Sequence, residues 1–210
     1  MLPHAGQPVV TAGVPLGEGK TAVIAVHGRG AGPANILDLV PRIGRPDLTW
    51  LAPAAADRTW YPYSFMAERE RNEPGLSSAL HVLTMLVDDV LARGVPRHRV
   101  VLLGFSQGAC LTSEFAYRNP ARYGGVIVFT GGLIGPAGTT WDLPGSFAGT
   151  PIFVGSSDVD SHVPKTRVDE TAAVFERMGA AVDKRIYPGM GHVVNDDEIE
   201  AARTVLSSIR

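Results

Sequence analysis

The sequence predicts an α/β domain with a mostly parallel central sheet and helices on both faces. Three observations carry that expectation. Several short apolar runs, such as residues 100–103 and 125–129, are continuous rather than alternating, as in strands buried on both faces. These runs alternate along the chain with segments of helical period. The irregular loops, at 27–33, 53–66, 104–108, 131–136, 155–164 and 188–194, each follow a strand, and sheets of this kind place their sites beyond the carboxyl ends of the strands. At 210 residues the chain reads as a single domain over 1–210, with ample length for a core and no block long enough for a large cap.

Residues 9–12 and 14–16 read as short edge strands, because Pro8 and Pro15 keep them out of a sheet centre. Residues 21–26 are a buried strand that runs into His27-Gly28-Arg29-Gly30-Ala31-Gly32-Pro33, a loop with three glycines in five residues. A helix follows over 35–42 and a short strand over 47–53. The stretch 54–75 lacks periodicity and is rich in Trp60, Tyr61, Tyr63, Phe65 and Met66; a loop this long inside a compact domain is usually functional. Residues 77–93 form an amphipathic helix: Leu76, Leu80, Leu83, Val87 and Val90 alternate spacings of four and three, and Gly94 closes it. Strands over 125–130 and 151–155 enclose a loop at 137–149. A helix over 167–178 and a last strand over 181–187 follow. Asn195 caps a final helix whose acidic first turn, Asp196, Asp197 and Glu198, suits the helix dipole.

The chain is organised around Gly104-Phe105-Ser106-Gln107-Gly108. Before it runs the apolar stretch 100–103; after it comes a helical segment, 109–118, stopped by Asn119-Pro120. G-x-S-x-G between a strand and a helix is a nucleophile elbow. The turn is so sharp that side chains at 104 and 108 would collide with their surroundings, and Ser106 is expected in a strained conformation.

Composition excludes other classes of function. Hydrophobic residues at 45%, charged residues at 19% and a formal charge of −2 describe an ordinary globular protein with no call for nucleic acid or an anionic membrane. The single cysteine, Cys110, forbids an internal disulfide and reads as a small buried thiol. The first residues lack a basic n-region and an apolar h-region, no apolar run reaches membrane-spanning length, and a cytoplasmic protein without stable membrane insertion is expected. No clustered His/Cys set and no P-loop Lys-Ser/Thr occur, so no metal or organic cofactor is expected.

A serine nucleophile needs a base, and the base needs a group to hold its tautomer. Of six histidines, His192 stands just after the last strand and before the last helix, as the chain order Ser, acid, His requires. His27 is read as shaping its glycine loop, and His162 as a rim residue of the pocket. The acid should follow the strand 151–155, where Asp158 and Asp160 both occur; spacing does not separate them.

The motifs His27-Gly28-Arg29-Gly30, Trp60-Tyr61-Pro62, Gly104-Phe105-Ser106-Gln107-Gly108, Asp160-x-x-Val163-Pro164 and Gly191-His192 resemble the carboxylesterase/phospholipase family of α/β-hydrolases, which includes acyl-protein thioesterases, and within it a small bacterial esterase branch. The resemblance covers nearly the whole chain. It implies the α/β-hydrolase fold and favours Asp160 over Asp158 as the acid. Thioesterase relatives usually carry leucine where Arg29 stands and often proline where Ser161 stands. The replacement at 29 leaves the backbone N–H intact and adds a cation near the mouth.

The expected function is therefore a serine carboxylesterase acting on short- to medium-chain carboxylic esters through an acyl-enzyme. Ser106 is the nucleophile, His192 the base and Asp160 its orienter, with the backbone N–H groups of Arg29 and Gln107 as the oxyanion hole. Trp60, Tyr63, Phe65, Leu133 and Val163 are the candidate pocket residues. Thioesterase or lysophospholipase activity on the same three residues is the alternative within the class, and a non-catalytic ligand receptor on the same fold the alternative outside it. The partner expected is a small-molecule ester, with the oligomeric state open and a homodimer included.

Overall fold

The computed structural model describes residues 2–209. Strands β1 (Val9–Gly13), β2 (Ala22–Val26), β3 (Thr49–Pro53), β4 (Val100–Phe105), β5 (Gly125–Phe129), β6 (Pro151–Ser157) and β7 (Ala181–Tyr187) form one sheet in the order β1-β3-β2-β4-β5-β6-β7. β1 pairs antiparallel with β3 at the edge; every other neighbouring pair is parallel. The continuous apolar runs have their cause here: every residue of β2 and β5 is buried, because helices cover both faces.

Alternate strand residues feed two cores. Ile24, Leu102, Val128 and Val154 pack with α3 (Gly75–Ala92), α4 (Gln107–Arg118) and α5 (Lys165–Arg177). Val23, Leu103, Ile127 and Phe153 pack with α1 (Pro33–Leu37), α2 (Leu39–Ile43) and α6 (Asp196–Ser207) on the opposite face. The α/β architecture, a mostly parallel sheet with helices on both faces, stands as read from the sequence. Helix α4 is buried along Gln107 to Tyr117, and its carboxylate Glu114 is accordingly paired, with Arg118 at 2.7 Å and Arg69 at 3.4 Å, while accepting the Ile134 N–H at 3.1 Å.

Three expectations change. Residues 35–42 are not one helix but parts of α1 and α2, broken at Asp38. Pro41 is the reason: it has no N–H to give the Leu37 carbonyl four residues back, and its ring crowds that carbonyl. Residues 14–16 form no strand; β1 ends at Gly13, in the left-handed region at φ 77°. Finally, α3 is long and apolar enough, by length and composition, to cross a membrane, where the sequence reading expects no such run. In the structure its Leu76, Ala79, Leu83, Val87 and Val90 are buried in the core against β2 and α4.

Helix α6 opens with a reciprocal cap. Asn195 Oδ1 accepts the Glu198 N–H at 2.8 Å, and Glu198 Oε2 accepts the Asn195 N–H at 2.9 Å. Glu198 is fully buried, and its Oε1 has no protein partner. Burial pushes its carboxyl from the ordinary 4.5 up to about 7, against the opposing pull of the Asn195 N–H. The folded state therefore holds this proton more tightly than the unfolded chain. The stability it confers is full below pH 4.5 and is lost as pH rises through about 7. Glu198→Gln keeps the cap without the charge. It should remove that part of the pH slope and make the variant more stable than wild type at pH 8 by about 2–3 kcal/mol. Urea unfolding of both proteins at pH 5 and pH 8 measures this; equal stabilities at pH 8 would contradict it.

Candidate active site

Ser106 joins β4 to α4 with φ 56° and ψ −121°, a strained conformation worth about 1–3 kcal/mol. Two close approaches explain the flanking glycines. A Cβ on Gly104 would lie 2.4 Å from the Gly108 carbonyl oxygen, and one on Gly108 would lie 2.1 Å from the Val26 carbonyl oxygen. Only without side chains can α4 start this close to the end of β2.

Ser106 Oγ lies 2.8 Å from His192 Nε2, and His192 Nδ1 lies 2.7 Å from Asp160 Oδ2. The three residues come from the ends of β4, β6 and β7, so the parallel sheet is what brings them together. A carboxylate only accepts, so Nδ1 carries the proton and the Nε2 lone pair faces the hydroxyl. The His192 ring contacts Phe105, with centroids 5.2 Å apart, and meets His162 edge to face at 4.9 Å. Asp160 Oδ1 accepts the N–H groups of His162 and Val163, each at 2.8 Å. Burial alone would raise the Asp160 carboxyl; the bonds from His192 and from the Val163 and His162 N–H groups outweigh it and hold the group below the usual carboxylate range. Asp158 points elsewhere: its Oδ1 accepts the Gly189 N–H at 2.8 Å and ties its loop to the one that carries His192. A hydroxyl aimed at an unprotonated imidazole nitrogen, backed by an ionised carboxylate, is arranged to give up its proton and attack a carbonyl carbon.

The other motifs interlock around this line. Ala55 N–H donates to His27 Nε2 at 3.1 Å, which leaves Nδ1–H to donate to the Gly28 carbonyl at 2.8 Å. Burial also lowers the His27 pKa, which favours the neutral ring. The indole N–H of Trp60 donates to the His27 carbonyl at 2.9 Å. The Gln107 amide accepts the Trp60 N–H at 3.0 Å and donates to the Tyr61 carbonyl at 2.8 Å. The Arg29 guanidinium donates to the carbonyls of Pro62 and Tyr63 at 2.9 and 2.7 Å. Thus the Gln107 and Arg29 side chains pin the 60–63 loop. Their main-chain N–H groups have no acceptor among the described residues, that of Gln107 because it opens a helix.

A cavity of about 440 Å³ opens over Ser106 and His192. Tyr63, Phe65 and Val163 line it, with Arg29, Tyr61 and His162. Two expected pocket residues do not. Trp60 is fully buried, held by its bonds to His27 and Gln107, and Leu133 lies in the core with its N–H on Thr171 Oγ1 at 2.9 Å. Tyr61 and Cys110 take part instead. Burial pushes the Cys110 thiol up to about 12, which leaves it an unreactive part of the wall. Among the described residues no group of three or more His, Cys, Asp or Glu side chains could hold a metal ion.

Comparison with known proteins points one way. A model of the phospholipase/carboxylesterase family matches residues 14–209. The crystal structure of a phospholipase/carboxylesterase from Dyadobacter fermentans superposes with a TM-score of 0.92 at 41% identity, over 100% of this chain and 98% of that one. A probable carboxylesterase of Arabidopsis thaliana, SOBER1-like, is 26% identical over 199 residues, covering 86% of this chain and 76% of its own. Acyl-protein thioesterase 1 of Eremothecium gossypii is 27% identical over 144 residues, 66% of this chain and 60% of that protein.

Proposed function

The chain belongs to the phospholipase/carboxylesterase family of α/β-hydrolases and is a carboxylic ester hydrolase; from that premise we propose that it cleaves short- to medium-chain carboxylic esters through an acyl-enzyme on Ser106, in the cytoplasm. The observation that carries this reading is the unbroken hydrogen-bonded line from Ser106 through His192 to Asp160.

In the proposed reaction the Ser106 hydroxyl passes its proton to His192 Nε2 as Oγ attacks the ester carbonyl. Asp160 stabilises the imidazolium through Nδ1–H. The carbonyl oxygen becomes an oxyanion between the main-chain N–H groups of Arg29 and Gln107, helped by the positive end of α4. His192 returns the proton to the leaving alcohol oxygen, and the acyl group stays on Ser106. Water, giving a proton to His192, then attacks the acyl carbon; the bond to Ser106 Oγ breaks, His192 returns the proton to Oγ, and the acid leaves. The side-chain bonds of Arg29 and Gln107 to the 60–63 loop keep both donors in place without reorganisation. The cavity of about 440 Å³, walled by Tyr61, Phe65 and Val163, suits an acyl chain of modest length.

The thioesterase name of the Eremothecium relative makes a thioester the competing substrate. Both can be measured on one preparation. Hydrolysis of p-nitrophenyl butyrate should show kcat in the ordinary enzyme range of about 1–10³ s⁻¹, with kcat/KM above that for butyryl-CoA. A higher kcat/KM for the thioester would make thioester hydrolysis the better reading.

A further inference from the structure

A second cavity, of about 530 Å³, shares His192 with the first and none of its other lining residues. Ile36 and Leu39 of the α1–α2 segment form one wall, and Val193 and Val194, directly after His192, form the other. Phe105, Gly28 and His192 line it and adjoin the serine: Phe105 precedes Ser106, His192 Nε2 is bonded to its Oγ, and a Cβ on Gly28 would touch Ser106 Cβ at 3.4 Å. Its polar residues His27 and Asn35 are spent on main-chain bonds to Ala55, Gly28 and Gly32, the rest of the wall is mostly apolar, and Val193 is 52% exposed, so the groove is open to a ligand. The one charged side chain on its rim, Arg42, is held by Asp196 at 3.0 Å and the Val194 carbonyl at 3.2 Å.

We propose that this groove is the leaving-group subsite and takes the apolar alkyl or aryl part of the ester's alcohol; the assignment rests on the esterase reading above. The chemistry supplies the direction. The leaving oxygen must reach His192 Nε2 to collect its proton, so the alcohol must pass beside that ring. The cavity lined by Ser106, Gln107, Cys110 and His192 receives the acyl chain. The alcohol is left with the groove, the other cavity that His192 lines. Because Arg42 is already paired, and His27 and Asn35 are bonded to main chain, the groove favours an uncharged, apolar alcohol over a charged headgroup.

Two ester series test this. In one the acyl group is acetyl and the alcohol runs from methyl through butyl to hexyl; in the other the alcohol is methanol and the acid runs from acetate to hexanoate. Simple alkyl alcohols are nearly equal as leaving groups, so kcat/KM in the first series reads contact with the groove. The wild type should gain about tenfold or more from methyl to hexyl acetate, from methylenes taken out of water. Ala31 also lines the groove; Ala31→Phe places a ring there and should remove most of that gain, while the hexanoate-to-acetate ratio of the second series stays within about threefold. Val193→Asp, at an exposed position that should not disturb folding, should do the same by polarity. A flattened acyl series with an intact alcohol series would make the groove the acyl site, and two intact series would remove it from the substrate path. No turnover of any ester by the wild type would instead remove the esterase reading, and this assignment with it.

Discussion

Ser106→Ala should lower kcat for a p-nitrophenyl ester by about six orders of magnitude, the scale on which loss of a serine nucleophile acts, while the protein stays folded. Both halves of that expectation have structural grounds. The Ser106 side chain makes a single hydrogen bond, to His192 Nε2. The strain at φ 56° belongs to the backbone and is carried equally by alanine. Removing Oγ therefore deletes the attacking atom and little else. A small residual rate would remain from the oxyanion donors and substrate binding. Steady-state kinetics paired with a melting curve measures it; wild-type-like turnover in a clean preparation would end the nucleophile assignment.

Asp160→Asn should cost about 10⁴ in kcat. The asparagine oxygen can still accept the His162 and Val163 N–H groups that Oδ1 now receives at 2.8 Å. That leaves its NH₂ where Oδ2 faces His192 Nδ1 at 2.7 Å. An NH₂ only donates there, so Nδ1 must become the acceptor and the proton moves to Nε2, facing Ser106. The imidazole would then be well placed but in the wrong tautomer to take a proton. Asp158→Asn has no such effect, because an amide oxygen can keep the bond from the Gly189 N–H. Its loss should stay below about tenfold and fall mainly on KM or stability. A larger kcat loss at 158 than at 160 would reverse the two roles.

The sequence carried the sheet and the line of site residues, and for the same reason. Buried parallel strands write themselves as continuous apolar runs, and the residues at their carboxyl ends are marked by glycine loops. What escaped the sequence are bonds between side chains and distant main chain. Gln107 pins Trp60 and Tyr61 across 46–47 residues of chain, and no spacing or periodicity records such a contact. Trp60 accordingly reads as a pocket aromatic, although its indole N–H is spent on His27 inside the core. Leu133 is misread in the same way: an apolar residue in a loop after a strand has the same signature whether it lines a cavity or packs under it. The choice between Asp158 and Asp160 needed the resemblance, yet a physical signal lay in the chain. Asp160 stands four residues before Pro164, in the turn that leads into α5, where an aspartate oxygen collects successive N–H groups. The groove beside Val193 was invisible because its two walls lie about 150 residues apart, from Ile36 and Leu39 to Val193 and Val194.

The mechanism requires that Ser106 become covalently acylated, and covalent labelling reads this at the residue itself. A fluorophosphonate should add once per chain, with complete loss of esterase activity at one equivalent. Fragmentation of the tryptic peptide 100–118, which holds both Ser106 and Ser113, should place the adduct on Ser106. An adduct on Ser156 or Ser157, or inactivation without any modification of Ser106, would show that Ser106 is not the nucleophile.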